Sequence, residues 1–389
     1  MRILIVSSFY PPHYIGGAEI LCKDVAEGLK AKGHEVKILT STYGVDKGVY
    51  EEGGIHRQLE HHLCWKSKGF IKDMGRFFKK EANNYEAFAS LSRRDKPDIV
   101  YVWNLYHVSV SLGFVAQNLG FPTCYSVHDY WLSHWKRDLW ASLCYPQSLK
   151  LTHRIVRKLF THCLGWISSF LFSKALKRSH VQFVSQYLKN KTLQAQKSIR
   201  DAEVIHTGVD TKKFAYKKNV NQQKRFLYVG QIVRHKGLHT VLEALKIIID
   251  QEGYDGTRLT IVGGSVDRDY EAFIQQRVSE LGLENYVQFT GFVSRESLPS
   301  IYQAHDILIF PSIWDEPFPL TLLEGMSLGL AVVGTATGGS AEMITHEVNA
   351  LVFPKDEPRA CAKQLLRLLH DPELFERIRE NARRTVEER

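Results

Sequence analysis

Two glutamates eight positions apart, Glu316 and Glu324, lie in the segment Trp314-Asp315-Glu316-Pro317-Phe318-Pro319-Leu320-Thr321-Leu322-Leu323-Glu324-Gly325-Met326. The apolar run Ile307–Phe310, closed by Pro311-Ser312, precedes them, and a second apolar run, Ala331–Val333, follows. The pattern predicts strand, loop, helix and strand, with Glu316 in the loop and Glu324 about one and a half turns into the helix. A helix start beyond the carboxyl end of a parallel strand is where α/β sheets bind phosphorylated ligands, because its first N–H groups have no partner within the helix. One carboxylate at the loop and another along the helix suit two parts of such a ligand, a sugar and a ribose.

Positioning these residues takes two series of alternating strands and helices. The first opens with a strand at Arg2–Ser8, the loop Phe9–Gly17, a helix carrying Leu21, Val25 and Leu29 on one face, and a strand at Val36–Leu39. Strands recur at Ile99–Trp103, Thr123–Val127 and His180–Val184. The second series has strands at Phe226–Val229, Leu259–Val262, Val287–Phe289, Ile307–Phe310, Ala331–Val333 and Ala350–Val352, with helices such as Thr240–Ile249 and Tyr270–Leu281 between. We therefore expect an α/β protein of two Rossmann-like domains facing across a cleft, residues 1–203 and 204–389. The polar stretch Thr211–Arg225 marks the boundary.

Composition excludes several classes. A chain of 389 residues with 44% hydrophobic and 24% charged residues fits a soluble two-domain protein. Ile3–Val6 is too short for a secretion signal, and no apolar run approaches the roughly 20 residues of a membrane span. The six cysteines show no Cys-x-x-Cys pair and read as reduced thiols of a cytoplasmic protein. A net charge of +9 suits nucleic acid, anionic lipid or an anionic substrate. With no helix-turn-helix, zinc-finger or RNP pattern beside it, nucleic acid is not expected. His61-His62-Leu63-Cys64 reads as a solvated loop, and Asp267-Arg268-Asp269 as a solvated turn, so no metal is expected. Leu159–Ser173 carries no Asp, Glu, Lys or Arg and is flanked by Arg154, Arg157, Lys158, Lys174, Lys177 and Arg178. It fits a buried helix, or an interfacial one on an anionic membrane, where the basic stretch Trp65–Lys80 would join it.

The Glu316–Glu324 segment resembles the Glu-x7-Glu signature of the retaining, GT-B-fold glycosyltransferases of family 4. The likeness continues, in family order, through Gly16-Gly17-Ala18-Glu19, Val127-His128-Asp129-Tyr130, His206-Thr207-Gly208-Val209-Asp210, Tyr228-Val229-Gly230, Lys236-Gly237, Phe289-Thr290-Gly291-Phe292, Ala304-His305-Asp306 and Gly338-Gly339-Ser340-Ala341-Glu342. It implies that Glu316 faces the donor sugar, Glu324 binds the ribose hydroxyls, Lys236 meets the donor diphosphate and His128 stands beside the anomeric centre. Gly16 and Gly17 would form a lid loop. This glycine pair is not the Gly-x-Gly-x-x-Gly fingerprint of nicotinamide binding. Phe292 and Val293 would pack on the nucleobase, and amides at Phe318 and Leu320 would point at the donor.

Two departures stand out. Gln231 replaces the family's arginine after Gly230, leaving Arg234 to supply charge, because glutamine can bond a phosphate without neutralising it. Pro319 replaces a glycine and brings no N–H, although proline suits a first helical turn. Members of the family usually continue into a last helix that crosses back to the first domain. This sequence, ending at Arg389, is expected to be either a fragment or a variant with a short tail.

The implied reaction moves a hexose-type sugar from a nucleoside-diphosphate-sugar to an acceptor hydroxyl of a glycan, lipid-linked or small-molecule acceptor, with no cofactor. The site would be cytoplasmic, peripheral on the inner face of a membrane where the basic stretches meet lipid. A nucleotide-sugar epimerase of the same fold and a non-catalytic binding protein are the alternatives. An epimerase would convert donor without acceptor.

Overall fold

The computed structural model describes all residues except 46–49, 62–69, 109, 135–172, 218–224, 251–253, 255 and 389. Residues 159–172 of the apolar run, His62–Cys64 and the start of the basic stretch at Trp65 lie outside the described residues. Two compact units are present, Met1–Ile205 and His206–Arg389.

The first unit holds strands β1 (Arg2–Val6), β2 (Glu35–Ser41), β3 (Tyr50–Glu52), β4 (Ile55–Leu59), β5 (Ile99–Val102), β6 (Thr123–Val127), β7 (His180–Phe183) and β8 (Asp201–Val204). They form one sheet in the order β3-β4-β2-β1-β5-β6-β7-β8. Every pairing is parallel except β3 with β4. The described helices are α1 (Gly17–Ala31), α2 (Phe70–Asp95), α3 (Ser111–Asn118) and α4 (Gln186–Ala195). Ile3, Leu4, Ile5 and Val6 are all buried, as the central strand of a parallel sheet covered on both faces requires.

The second unit carries β9 (Phe226–Val229), β10 (Leu259–Val262), β11 (Val287–Gly291), β12 (Ile307–Phe310), β13 (Ala331–Gly334) and β14 (Leu351–Val352). Their order is β11-β10-β9-β12-β13-β14, all parallel. Between and after them run α5 (Leu238–Asp250), α6 (Arg268–Glu280), α7 (Leu298–Gln303), α8 (Leu320–Leu328), α9 (Pro358–His370) and α10 (Pro372–Glu388). The chain begins in mid-sheet at β9, moves out to β11, and returns beside β9 as β12. That reversal makes the loops after β9 and β12 diverge, and the crevice at such a point is the usual ligand site of an open α/β sheet. The first sheet reverses in the same way between β1 and β5. Asp306 fastens the start of β12, accepting from Lys217 Nζ at 2.7 Å and Arg225 N at 3.1 Å.

The β3–β4 hairpin and β8 were not expected from the sequence. β4 reads Ile-His-Arg-Gln-Leu, too polar for a buried strand, yet Arg57 is buried because its Nη2 donates to the carbonyls of Tyr10 (2.9 Å) and Pro11 (2.8 Å). β8 is a polar edge strand whose Asp201 and Glu203 both bond His180 on β7. Asp267, expected in a solvated turn, is the N-cap of α6 and accepts from Tyr270 N. Among the described residues no helix is long and apolar enough to cross a membrane.

Close packing of the second sheet depends on Gly263, with φ at 139°. A Cβ there would lie 1.9 Å from the Gly230 carbonyl oxygen, whereas one at Gly282 (φ 67°) would meet nothing within 4 Å. An unfavourable φ alone costs about 1–2 kcal/mol, and a backbone clash adds roughly 1–3 more. Gly263→Ala should therefore lower the urea midpoint of the second unit clearly more than Gly282→Ala. Equal shifts would refute this account of the β9–β10 contact.

Candidate active site

At the carboxyl end of β9 the chain turns through Gly230 and Gln231 into a short 3-10 turn, Arg234–Lys236, ended by Gly237 in the left-handed region (φ 71°). Lys236 closes this turn, and α5 starts two residues later. A Cβ at Gly237 would lie 2.1 Å from the Pro311 carbonyl oxygen, so the loop after β9 presses directly on the loop after β12. The amides of Ile313 and Trp314 donate to the His235 carbonyl at 3.0 and 3.2 Å and lock the two loops together.

This contact brings Lys236 to Glu316. Lys236 Nζ lies 2.6 Å from Glu316 Oε1, and Ser312 Oγ donates to the same oxygen at 2.7 Å. The glutamate side chain is 8% exposed and the lysine 25%, so the lysine is the more accessible member of the pair. Behind Glu316, Gly339 N donates to its carbonyl at 2.6 Å, and a Cβ at Gly338 would strike that same oxygen at 2.5 Å. The Gly338-Gly339 pair is thus the seat of the glutamate loop. Arg234 is exposed and has no ion-pair partner among the described residues. Gln231 is half-buried, its carbonyl accepting from Tyr228 Oη at 2.8 Å.

Pro319 is the N-cap of α8, one position earlier than its expected place in the first turn, and Leu320 begins the helix. No side chain caps this terminus, and with Leu322 N bonded to the Pro319 carbonyl at 3.3 Å, the amides of Leu320 and Thr321 remain for a ligand. Phe318 stacks on His206 with ring centroids 5.0 Å apart and planes 5° from parallel, and His206 Nε2 lies 3.1 Å from Glu342 Oε2. Phe292 is 75% exposed beyond β11. Its neighbour Val293 packs with Phe318 and Leu320 against the core instead.

Glu324 occupies a separate setting. It is almost completely buried on α8, with Oε1 2.5 Å from Arg295 Nη1 and Oε2 accepting from Tyr302 Oη at 3.1 Å. Burial raises its carboxyl above the usual range, while Arg295 and Tyr302 pull it down. Arg295 and Tyr302 were missed in the sequence, where a lone arginine and a lone tyrosine give no signal. Ser312 was visible only as the closure of a strand.

In the first unit, Gly16 is the N-cap of α1 and Gly17 its first residue. Gly16 has an extended φ of −143°, and a Cβ there would meet only Glu19 Oε2 at 3.6 Å. Its backbone therefore does not demand glycine, and its amide already donates to Glu19 Oε2 at 2.9 Å. His128 directly follows β6, stacked on Trp103 at 4.4 Å and 8°, with Nε2 2.8 Å from Ser126 Oγ. Part of the residue remains accessible, but the enclosure of the ring pushes its pKa down to about 3. Asn104, also missed in the sequence, laces three strand ends. Its carbonyl accepts from Ser8 N and Oγ, and its Nδ2 donates to Asp129 Oδ2 at 2.8 Å.

Two open parallel sheets of this strand order, one bearing a basic loop and an uncapped helix start at its switch point, define a two-domain α/β enzyme of the GT-B kind. Residues 15–213 match the family described as Glycosyltransferase Family 4, and residues 209–385 that described as Glycosyl transferases group 1. The chain belongs to these glycosyltransferases. It is 27% identical to an uncharacterized glycosyltransferase of Methanocaldococcus jannaschii over 100% of this chain and 94% of that protein. In fold it is similar to sucrose-phosphate synthase of Thermosynechococcus elongatus (TM-score 0.75, 21% identity, 100% of this chain and 94% of that one). It is also similar to Anabaena HepE in complex with UDP (TM-score 0.68, 18% identity, 100% and 95%).

The depressed pKa of His128 sets the sign of a pH effect. Unfolded, this imidazole takes up a proton near pH 6.5; folded, it stays neutral down to about 3. It therefore costs stability progressively as pH falls below about 6.5, with a limiting slope of roughly 1.4 kcal/mol per pH unit. His180, raised by Glu203 and Asp201, acts in the opposite sense, giving stability below its unfolded pKa that is lost as pH rises through the folded one. Its contribution cancels when His128→Gln is compared with wild type. The variant should lose less urea stability than wild type between pH 7.5 and pH 5. A wild-type His128 ring signal that titrates by NMR between pH 5 and 8 would contradict this.

Proposed function

We propose that the chain is a retaining glycosyltransferase that moves a hexose-type sugar from a nucleoside-diphosphate-sugar to an acceptor hydroxyl. The observation that carries this reading is the Lys236–Glu316 pair beside the uncapped start of α8, at the switch point of the second sheet. A donor diphosphate docking there offers Lys236 a second anionic partner and meets the free N–H groups of the helix start. As the bond from the anomeric carbon to the diphosphate breaks, negative charge grows on the departing oxygen, and Lys236, Arg234 and the helix start stabilise it. Fixed groups of this kind are usually the largest single contribution to catalysis. The acceptor oxygen then bonds the same face of the sugar, and its proton passes to the departing phosphate. Glu316 lines the sugar face, Glu324 takes the ribose and Phe292 offers an exposed ring to the base. UDP is the first nucleotide to test, because HepE is similar in fold and was solved with it. The acceptor is a glycan, lipid-linked or small-molecule hydroxyl, and the enzyme works in the cytoplasm, at the membrane where the acceptor is lipid-linked.

A thermal-shift screen of UDP-, GDP- and ADP-sugars tests the donor. Ligand at 100 times its dissociation constant should add about 2.7 kcal/mol of stability. With the donor found, Glu316→Gln and Lys236→Met should each cut turnover per folded molecule by roughly 10²–10³. Lys236→Met should also lower stability, because it strips a buried carboxylate of its counter-charge. Unchanged turnover in both variants refutes the site.

Because Lys236, Arg234 and the helix start are assigned the diphosphate, turnover should persist in EDTA. Complete loss restored by magnesium would shift the role to a metal, with Asp267 and Asp269 the first ligands to test.

A further inference from the structure

We propose that Arg295 is a positioning residue for nucleotide recognition, holding Glu324 ionised and aimed so that the carboxylate can accept the ribose hydroxyls. This rests on the ribose role proposed for Glu324. Arg295 comes from the loop after β11, 29 residues before its partner, and reaches Oε1 while Tyr302 of α7 donates to Oε2. Its guanidinium also lies over the Phe214 ring, 5.7 Å from the centroid, and Phe214 meets Tyr302 edge-on at 6.1 Å. Two side chains therefore fix one carboxylate, and Phe214 packs against both of them.

The arrangement leaves the carboxylate with unfilled hydrogen-bonding capacity. An ionised carboxylate offers about four lone-pair positions, and the two protein donors fill one on each oxygen. One acceptor position per oxygen remains, which matches two neighbouring hydroxyls. The Glu324 side chain is 2% exposed and the Arg295 side chain 20%, so Arg295 is the more accessible member of the pair. A carboxylate buried this deeply is ionised only if compensated, and Arg295 is its direct ion-pair partner. The other charged or titratable groups acting on it are Tyr302 and, at longer range, Lys213.

The experiment uses the full chain and whichever of UDP, GDP or ADP stabilises wild type most, together with the 2′-deoxy form of that nucleotide. Dissociation constants are measured by calorimetry between pH 6 and 8.5 for wild type, Arg295→Met, Arg295→Lys, Glu324→Gln and the Met/Gln double variant. Affinities are read as ratios to wild type at each pH, so that ionisation of the nucleotide's terminal phosphate at about pH 6 cancels, and wild type should bind the 2′-deoxy form more weakly. Arg295→Met should bind the ribonucleotide roughly ten- to a hundredfold more weakly at pH 6, the size of a lost bond to a charged group. It should recover as pH rises and Glu324 ionises. The double variant should be pH-independent and no weaker than Glu324→Gln. If Arg295→Met does not fold, Arg295→Lys still decides: its loss should be larger on the ribonucleotide than on the 2′-deoxy form, which keeps only the 3′-hydroxyl. Wild-type affinity in Arg295→Met, a pH-independent loss additive with Glu324→Gln, or an equal loss on both nucleotides in Arg295→Lys overturns the proposal. Equal binding of both nucleotides to wild type sinks instead the ribose role of Glu324.

Discussion

A carboxylate taken out of water needs a positive partner, and that requirement organises the carboxyl-end surface of the second unit. Glu316 meets it through Lys236 and Ser312, both directed at one oxygen. Holding these groups within 2.7 Å demands that the loops after β9 and β12 keep one register. The backbone bonds from Ile313 and Trp314 to His235, the Cβ-free approach of Gly237 to Pro311, and the Gly338-Gly339 seat all serve that register. Removing the lysine would therefore do more than subtract a phosphate contact. It would leave a buried charge uncompensated, which is far more costly than the loss of a surface ion pair.

Two glutamates on one short segment end in different surroundings because of how α8 meets the sheet. Gly325 lets the helix press on β12, where even a Cβ would come within 2.5 Å of Leu308 Cδ2. Leu322, Leu323 and Met326 follow it into the core. Glu324, beside Gly325, is carried inward with them and is compensated by Arg295 and Tyr302 instead of by solvent. Glu316 stays in the loop, where its lysine partner is partly exposed.

Much of this was legible in the sequence. Phe226–Val229, Leu259–Val262, Ile307–Phe310 and Thr123–Val127 form strands over the residues that their apolar runs indicated, because strands buried on both faces read as unbroken hydrophobic segments. The Glu316 loop and the Glu324 helix followed from the same runs. β4 was illegible because the burial of Arg57 is satisfied by carbonyls 46 and 47 residues away. Arg295 was illegible for the same reason: nothing in Ser294-Arg295-Glu296 announces a partner on α8. Pairings across loops are set by topology, and topology is what local pattern conveys least. Gly16 shows the converse. Its motif was plain, yet neither its φ nor its surroundings require the missing side chain.

The two units also differ in the kind of group that they place at their strand ends. In the second, an ammonium, an exposed guanidinium and unpaired helix N–H groups make a surface suited to anions. In the first, the His128 ring is neutral over the ordinary pH range, and burial raises the Glu19 carboxyl while it accepts the Gly16 amide. A neutral imidazole can donate or accept a hydrogen bond, but it gives a diphosphate no counter-charge. Under the proposed reaction, stabilisation of the leaving group therefore falls to the second unit. That division fits a reaction whose one strongly charged product is the departing nucleotide.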